Sequence, residues 1–121
     1  MNNIHNVSLR VNDGEDFYLL LGDFLDEFYK TPKGEMLSSH PEQMSKAELV
    51  PFLAATAHKL ANDYGFVPPR WTFERRCYLP GDEPYFACKA RGNLRLLFMY
   101  KSPSEFKHRN LFVDENVLVR I

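Results

Sequence analysis

The residues of this chain best equipped for chemistry fall in two basic clusters: Arg70 and Trp71 with Arg75 and Arg76, and the run Lys107-His108-Arg109-Asn110. The first resembles a stacking platform with phosphate clamps, in which an indole face meets a base and guanidinium groups take the backbone charge. A structural role competes with it and weighs more. A Trp two residues after Pro69 pins a crossing segment to the core, and neighbouring Arg stems cover the ring. The second cluster follows Ser102-Pro103-Ser104-Glu105-Phe106, so its cations fall in the last turn of a short helix and complement the helix dipole. Arg109 is expected to pair with a carboxylate or with carbonyls near the chain turn, and Asn110 to take a turn conformation with positive φ. Arg70, Arg75, Arg76, Lys107, Arg109 and Asn110 are thus the candidate partner-binding residues, with Arg109 and Asn110 expected to serve structure first.

Other chemistries find little support. The chain has no Gly-x-Ser-x-Gly elbow, Gly-rich phosphate loop, His-Glu-x-x-His pair or Cys-x-x-Cys site, so no enzymatic activity, cofactor or metal is expected. His5, His40, His58 and His108 lack ligand-like spacing, and His58 lies beside Lys59 on the polar side of a helix. Cys77 and Cys88 read as two reduced, partly buried thiols.

Charge is nearly balanced overall, at −1, but not along the chain. Met1 to Glu48 holds four Lys/Arg against nine Asp/Glu, and Leu49 to Ile121 eleven against seven. A nucleic-acid binder usually carries a net basic domain; here only a local face over residues 70–109 could serve. No apolar run approaches the roughly 20 residues that cross a bilayer, and polar residues occupy the stretch where a signal peptide would be apolar. A cytoplasmic protein without a membrane partner is the expectation.

With 121 residues and 45% hydrophobic content, the chain suits one domain able to bury about two thirds of its unfolded surface. The pattern predicts a mainly α single small domain of three main helices plus short helices, with room for one or two short strands near the termini. Val7, Leu9 and Val11 alternate as in a strand, so residues 1–15 are expected to form an N-terminal strand or arm. From Asp16 to Lys30, Phe17, Leu20, Leu21, Phe24, Leu25 and Phe28 recur at helical intervals opposite an acidic face, and Asp13 or Glu15 could cap this helix. Residues 31–44 read as a mobile loop holding at most a short helix at Met36-Leu37.

Ser45 and Glu48 fit a capping box, while Pro51 predicts either a kink or a helix start nearer Val50. Gly65 suits the left-handed position after that helix. Residues 69–90 read as an aromatic-anchored crossing. A third main helix is expected from Leu94 to Lys101, capped by Asn93 and burying Leu94, Leu97, Phe98 and Met99. Ser102 and Glu105 repeat the capping-box spacing with Pro103 at the first helical position, Leu111-Phe112-Val113 suits a strand, and Asp114 can cap a last turn.

The order Pro69-Arg70-Trp71, Pro84-Tyr85-Phe86, Leu94 and Leu97, Ser102-Pro103 with Phe106, then Arg109-Asn110-Leu111-Phe112-Val113 before Leu118 resembles a little-characterised group of small bacterial proteins and C-terminal domains. Some members follow a DNA-binding helix-turn-helix, and some are encoded beside nucleotidyltransferase-like toxins. The resemblance covers residues 48–119 and implies a protein-binding or antitoxin-like role, with Arg109 and Asn110 as the polar signature of the tail. It carries over no catalytic residue. An acidic amphipathic helix stands here where a helix-turn-helix would precede the shared region. The expected function is therefore a non-enzymatic intracellular protein-binding module, an antitoxin-like or regulatory accessory component. The alternatives are a nucleic-acid-associated protein using residues 70–109, or a small enzyme.

Overall fold

The computed structural model describes residues 2–87 and 93–120, apart from the side chains of Asn93, Leu94 and Phe98. It is mainly helical, a single small domain with one small sheet. The elements run α1 (Ile4–Asn12), α2 (Phe17–Lys30), α3 (Glu35–Ser38), α4 (Leu49–Tyr64), two 3-10 turns (Arg70–Phe73 and Arg75–Cys77), β1 (Tyr85–Phe86), α5 (Asn93–Lys101), α6 (Ser104–Lys107) and β2 (Leu111–Phe112).

The N-terminal segment is a helix and not the expected strand. Ile4, Val7 and Val11 lie on one helical face, and Ile4 and Val7 are fully buried. Leu9, which completed the apparent alternation, is exposed. The Asn3 side chain accepts from the backbone N–H of Asn6 at 2.8 Å and starts the helix. Asp16, rather than Asp13 or Glu15, caps α2 by accepting from the Leu19 N–H at 2.9 Å.

α4 is the central element, and every residue from Leu49 to Ala57 is buried, around its whole circumference. Pro51 produces no kink because it is the third helical residue, where its missing N–H would have had no partner within the helix. The capping box at Ser45 does not form; Glu48 precedes the helix without a side-chain cap. Phe52 joins Phe17 on α2, at 5.5 Å between ring centroids, to Phe106 on α6, at 5.2 Å. At the far end Gly65 takes φ 75°, the left-handed conformation expected of it.

Residues 31–44 are well anchored. Met36 and Leu37 are buried, the Glu42 N–H donates to Ser8 Oγ at 2.8 Å, and Asn12 donates to the Gln43 carbonyl at 3.1 Å. The two strands pair in parallel, Tyr85 with Leu111 and Phe86 with Phe112. Ser102 does not cap α6. Its buried hydroxyl donates to the Val113 carbonyl at 2.9 Å while accepting from the Val113 N–H at 2.8 Å, and Pro103 occupies the cap position. The last turn forms as expected, with the Asn116 N–H on Asp114 at 2.8 Å.

α5 spans the expected residues but does not bury two of those expected to face the core. Leu97 and Met99 are exposed along with Leu96 and Tyr100. The Asn93 cap and the burial of Leu94 and Phe98 lie outside the described side chains, and Cys88 outside the described residues.

Candidate functional site

Arg109 is the bulkiest of the fully buried side chains, at 1% exposure. It leaves the turn after α6 and points back under α4 and the first 3-10 turn. One terminal nitrogen donates to the Glu105 carbonyl at 2.8 Å and approaches His58 Nδ1 at 3.1 Å; the other donates to the Thr72 carbonyl at 2.8 Å. The Glu105 carbonyl lies four residues back, at the C-terminal end of α6, so the guanidinium satisfies a helix end as well as itself. Its Cζ lies 4.9 Å from the Tyr78 ring centroid and 5.9 Å from that of Phe73.

Among the described residues no carboxylate reaches Arg109 within ion-pair distance, and its Nε has no hydrogen-bond partner. A buried, unpaired cation costs several kcal/mol of desolvation, offset here by three acceptors and two rings. Burial accordingly pulls its pKa down, although a guanidinium stays protonated. Because Arg109 can only donate, His58 Nδ1 must accept, which places the neutral ring's proton on Nε2. Burial, reinforced by the Arg109 charge, holds His58 below the usual histidine range. Burial would push the Glu105 carboxyl up, but the Asn62 amide, its own backbone, Lys59 and His58 together hold it below its ordinary value.

The other expected site residues divide by what they do. Asn110 takes φ 64°, donates to the Pro80 carbonyl at 2.7 Å, and its own carbonyl receives the Tyr85 N–H at 3.0 Å, which seats β1 beside β2. Arg109 meets carbonyls, one of the two partners expected for it, and Asn110 takes the expected positive φ. Lys107 reaches back to the Tyr100 carbonyl at 2.7 Å and ties α6 to the end of α5. Arg76 is held by Glu74 at 3.0 Å and by the Pro41 carbonyl at 3.1 Å. The side chains of Arg70 and Arg75 are exposed and, among the described residues, make neither hydrogen bond nor ion pair.

Trp71 is a pin: its indole N–H donates to the Leu37 carbonyl at 2.9 Å and the ring is buried. Cys77 is fully buried, its thiol donates to the Trp71 carbonyl at 3.2 Å, and burial pushes its pKa up to about 11, so it carries little thiolate at neutral pH.

The exposed aromatics of this region are instead Phe73, at 51%, and Tyr78, at 37%, the two rings that flank the buried guanidinium. Sequence reasoning passed over both, because the register of two successive 3-10 turns follows no helical or strand period. The resulting face sets two rings above a buried cation, and the same two 3-10 turns carry the exposed Arg70 and Arg75. The rings can pack and exposed guanidinium groups can bind acids. No family model, curated protein or solved structure matches the chain.

Proposed function

We propose that the protein is a non-enzymatic, cytoplasmic protein-binding module, antitoxin-like or regulatory, that engages an acidic protein through the face made by Phe73, Tyr78, Arg70 and Arg75. The supporting observation is the pair of part-exposed rings held over buried Arg109. Aromatic and Arg side chains supply much of the energy of protein interfaces, and rings already fixed lose little conformational entropy on binding. The free guanidinium groups of Arg70 and Arg75 would steer a carboxylate-rich surface and fix its register. His58 Nδ1 is engaged by Arg109 and the Cys77 thiol by the Trp71 carbonyl, an arrangement that favours a supporting role for both.

The test compares affinity capture from the native cell by wild-type protein and by Phe73→Ala and Arg75→Glu variants. The expected result is one protein held in stoichiometric amount by wild type and depleted at least about tenfold with either variant at unchanged Tm. Equal capture by all three would overturn the assignment of the face.

A second reading is favoured by the same accessible rings, which could stack on bases while Arg70 and Arg75 take phosphates. Anisotropy of a labelled single-stranded oligonucleotide separates the two. Salt-sensitive binding lost in Phe73→Ala would replace the protein-partner reading, and no binding at low salt removes the nucleic-acid one. Among the described residues, no helix is long and apolar enough to cross a membrane.

A further inference from the structure

Two exposed regions of opposite charge are joined through β1. On α2, Leu19 is 72% exposed and Tyr18 half exposed, with Asp16 three residues before Leu19 and Asp23 four after it on the same helical face. Glu48, ahead of α4, lines a cleft of about 410 Å³ together with Asp16, Tyr18, Tyr85 and the counter-charge Lys46. Arg10 neutralises Glu15 at 2.6 Å and Arg120 neutralises Asp26 at 3.0 Å, whereas Asp16, Asp23 and Glu48 form no ion pair among the described residues. The Tyr18 hydroxyl meets that of Tyr85 at 2.9 Å, and the next residue, Phe86, carries the Arg95 guanidinium 4.0 Å above its ring. From Arg95 onward α5 turns Leu96, Leu97, Met99 and Tyr100 to solvent, Leu96 at 62% and Tyr100 at 80%. Lys101 closes this stretch and shares its charge with Glu115 at 3.7 Å.

We propose that α5 of one copy docks against the Tyr18–Leu19 face of a second copy, and reciprocally, to form a two-fold dimer. An exposed surface that is acidic at one end, basic at the other and apolar at both is self-complementary about a two-fold axis. A foreign acidic helix on α5 would leave the Leu19 face and the acids around it unmatched; a second copy covers both at once. Arg95 and Lys101 then meet Asp16, Asp23 and Glu48, while Leu96, Met99 and Tyr100 pack on Leu19 and Tyr18. The rings of Phe73 and Tyr78 are outside this contact, so the dimer does not depend on the function proposed above.

The test is sedimentation of the full chain with two double variants, Asp23→Lys/Glu48→Lys and Arg95→Glu/Lys101→Glu, each checked for native circular dichroism. Wild type should sediment as a dimer at about 100 µM in low salt, where even a contact of micromolar Kd is saturated. Each double variant should dimerise at least about tenfold more weakly, because its contacts now oppose like charges. Mixed one to one, the two variants should restore a dimer, since both reciprocal contacts are again complementary. A monomeric wild type, variants that dimerise as well as wild type, a mixture that stays monomeric, or growth into open-ended polymers would each overturn the proposal.

Discussion

The turn at Arg109 and the helix α5 invert the ordinary sorting of side chains, each in its own direction. The most polar residue of the first region is fully buried, while four large apolar residues of the second face water. The two lie close together in the chain and are equally basic in sequence, so composition does not separate them. What separates them is supply of partners: Arg109 sits where the Glu105 and Thr72 carbonyls and His58 converge. Burial of a polar group follows from available acceptors, and exposure of an apolar one from the lack of an opposing surface within the chain.

The sharpest way to break this contrast is to remove the side chain at its centre. Arg109→Ala should lose about 3 kcal/mol, through a cavity and the unpaired Thr72 and Glu105 carbonyls, while Tyr100→Ala on α5 should change stability by less than about 0.5 kcal/mol. Urea unfolding of the two variants checks this, and equal effects would abolish the distinction. Stability should fall before any partner affinity does, and unchanged melting with lost binding would make Arg109 a contact residue.

Next in size is the turn that aims Arg109. Asn110→Ala should cost about 1–2 kcal/mol, because Ala resists φ 64° and cannot reach the Pro80 carbonyl, whereas Asn110→Gly should recover the backbone part of that loss. Thermal melting of the pair separates the two contributions.

The smallest effect is a pH dependence. His58 has a folded-state pKa below its unfolded value, so the folded state favours the neutral ring. Its contribution is fully present above about pH 6.5 and declines as pH falls below that, when the unfolded chain takes up the proton first and the ring can no longer accept from Arg109. Solvent screening at the half-buried ring keeps the loss to a fraction of a kcal/mol. His58→Gln should flatten that part of the stability profile between pH 7 and 5, and an unchanged slope would assign it to other groups.

Much of the fold could be read from the chain because periodicity there matches tertiary burial. The stripe of α2, the small residues and Gly65 of α4, the buried Trp71 and Phe106, and the pairing segment Leu111-Phe112 all follow from local pattern. The failures occur where two patterns compete or where the partner is remote. Val7 and Val11 serve a strand register with Leu9 and a helix register with Ile4, and only packing against the core and the 39–43 segment decides between them. Ser102 has the spacing of a cap, yet its hydroxyl is taken by Val113 across the fold. Leu97 and Met99 carry an apolar signal that no local rule assigns to solvent. At the candidate site, the turn chemistry of Asn110 is legible from its residue type, whereas Arg109 could meet a carboxylate or carbonyls, and only the converging Glu105 and Thr72 carbonyls decide between them. The contacts of Arg109 to His58, Phe73 and Tyr78 span distant parts of the chain and have no local signature.

The short ladder between β1 and β2 has a consequence for how α5 hangs on the body. The backbone departs at Ala87, whose N–H is held by the Phe112 carbonyl at 3.0 Å, and is back by Ser102, locked on the adjacent Val113. α5 is thereby cinched to the body at Phe112 and Val113, so strain or cleavage in that helix meets two adjoining locked residues before it reaches the packed interior.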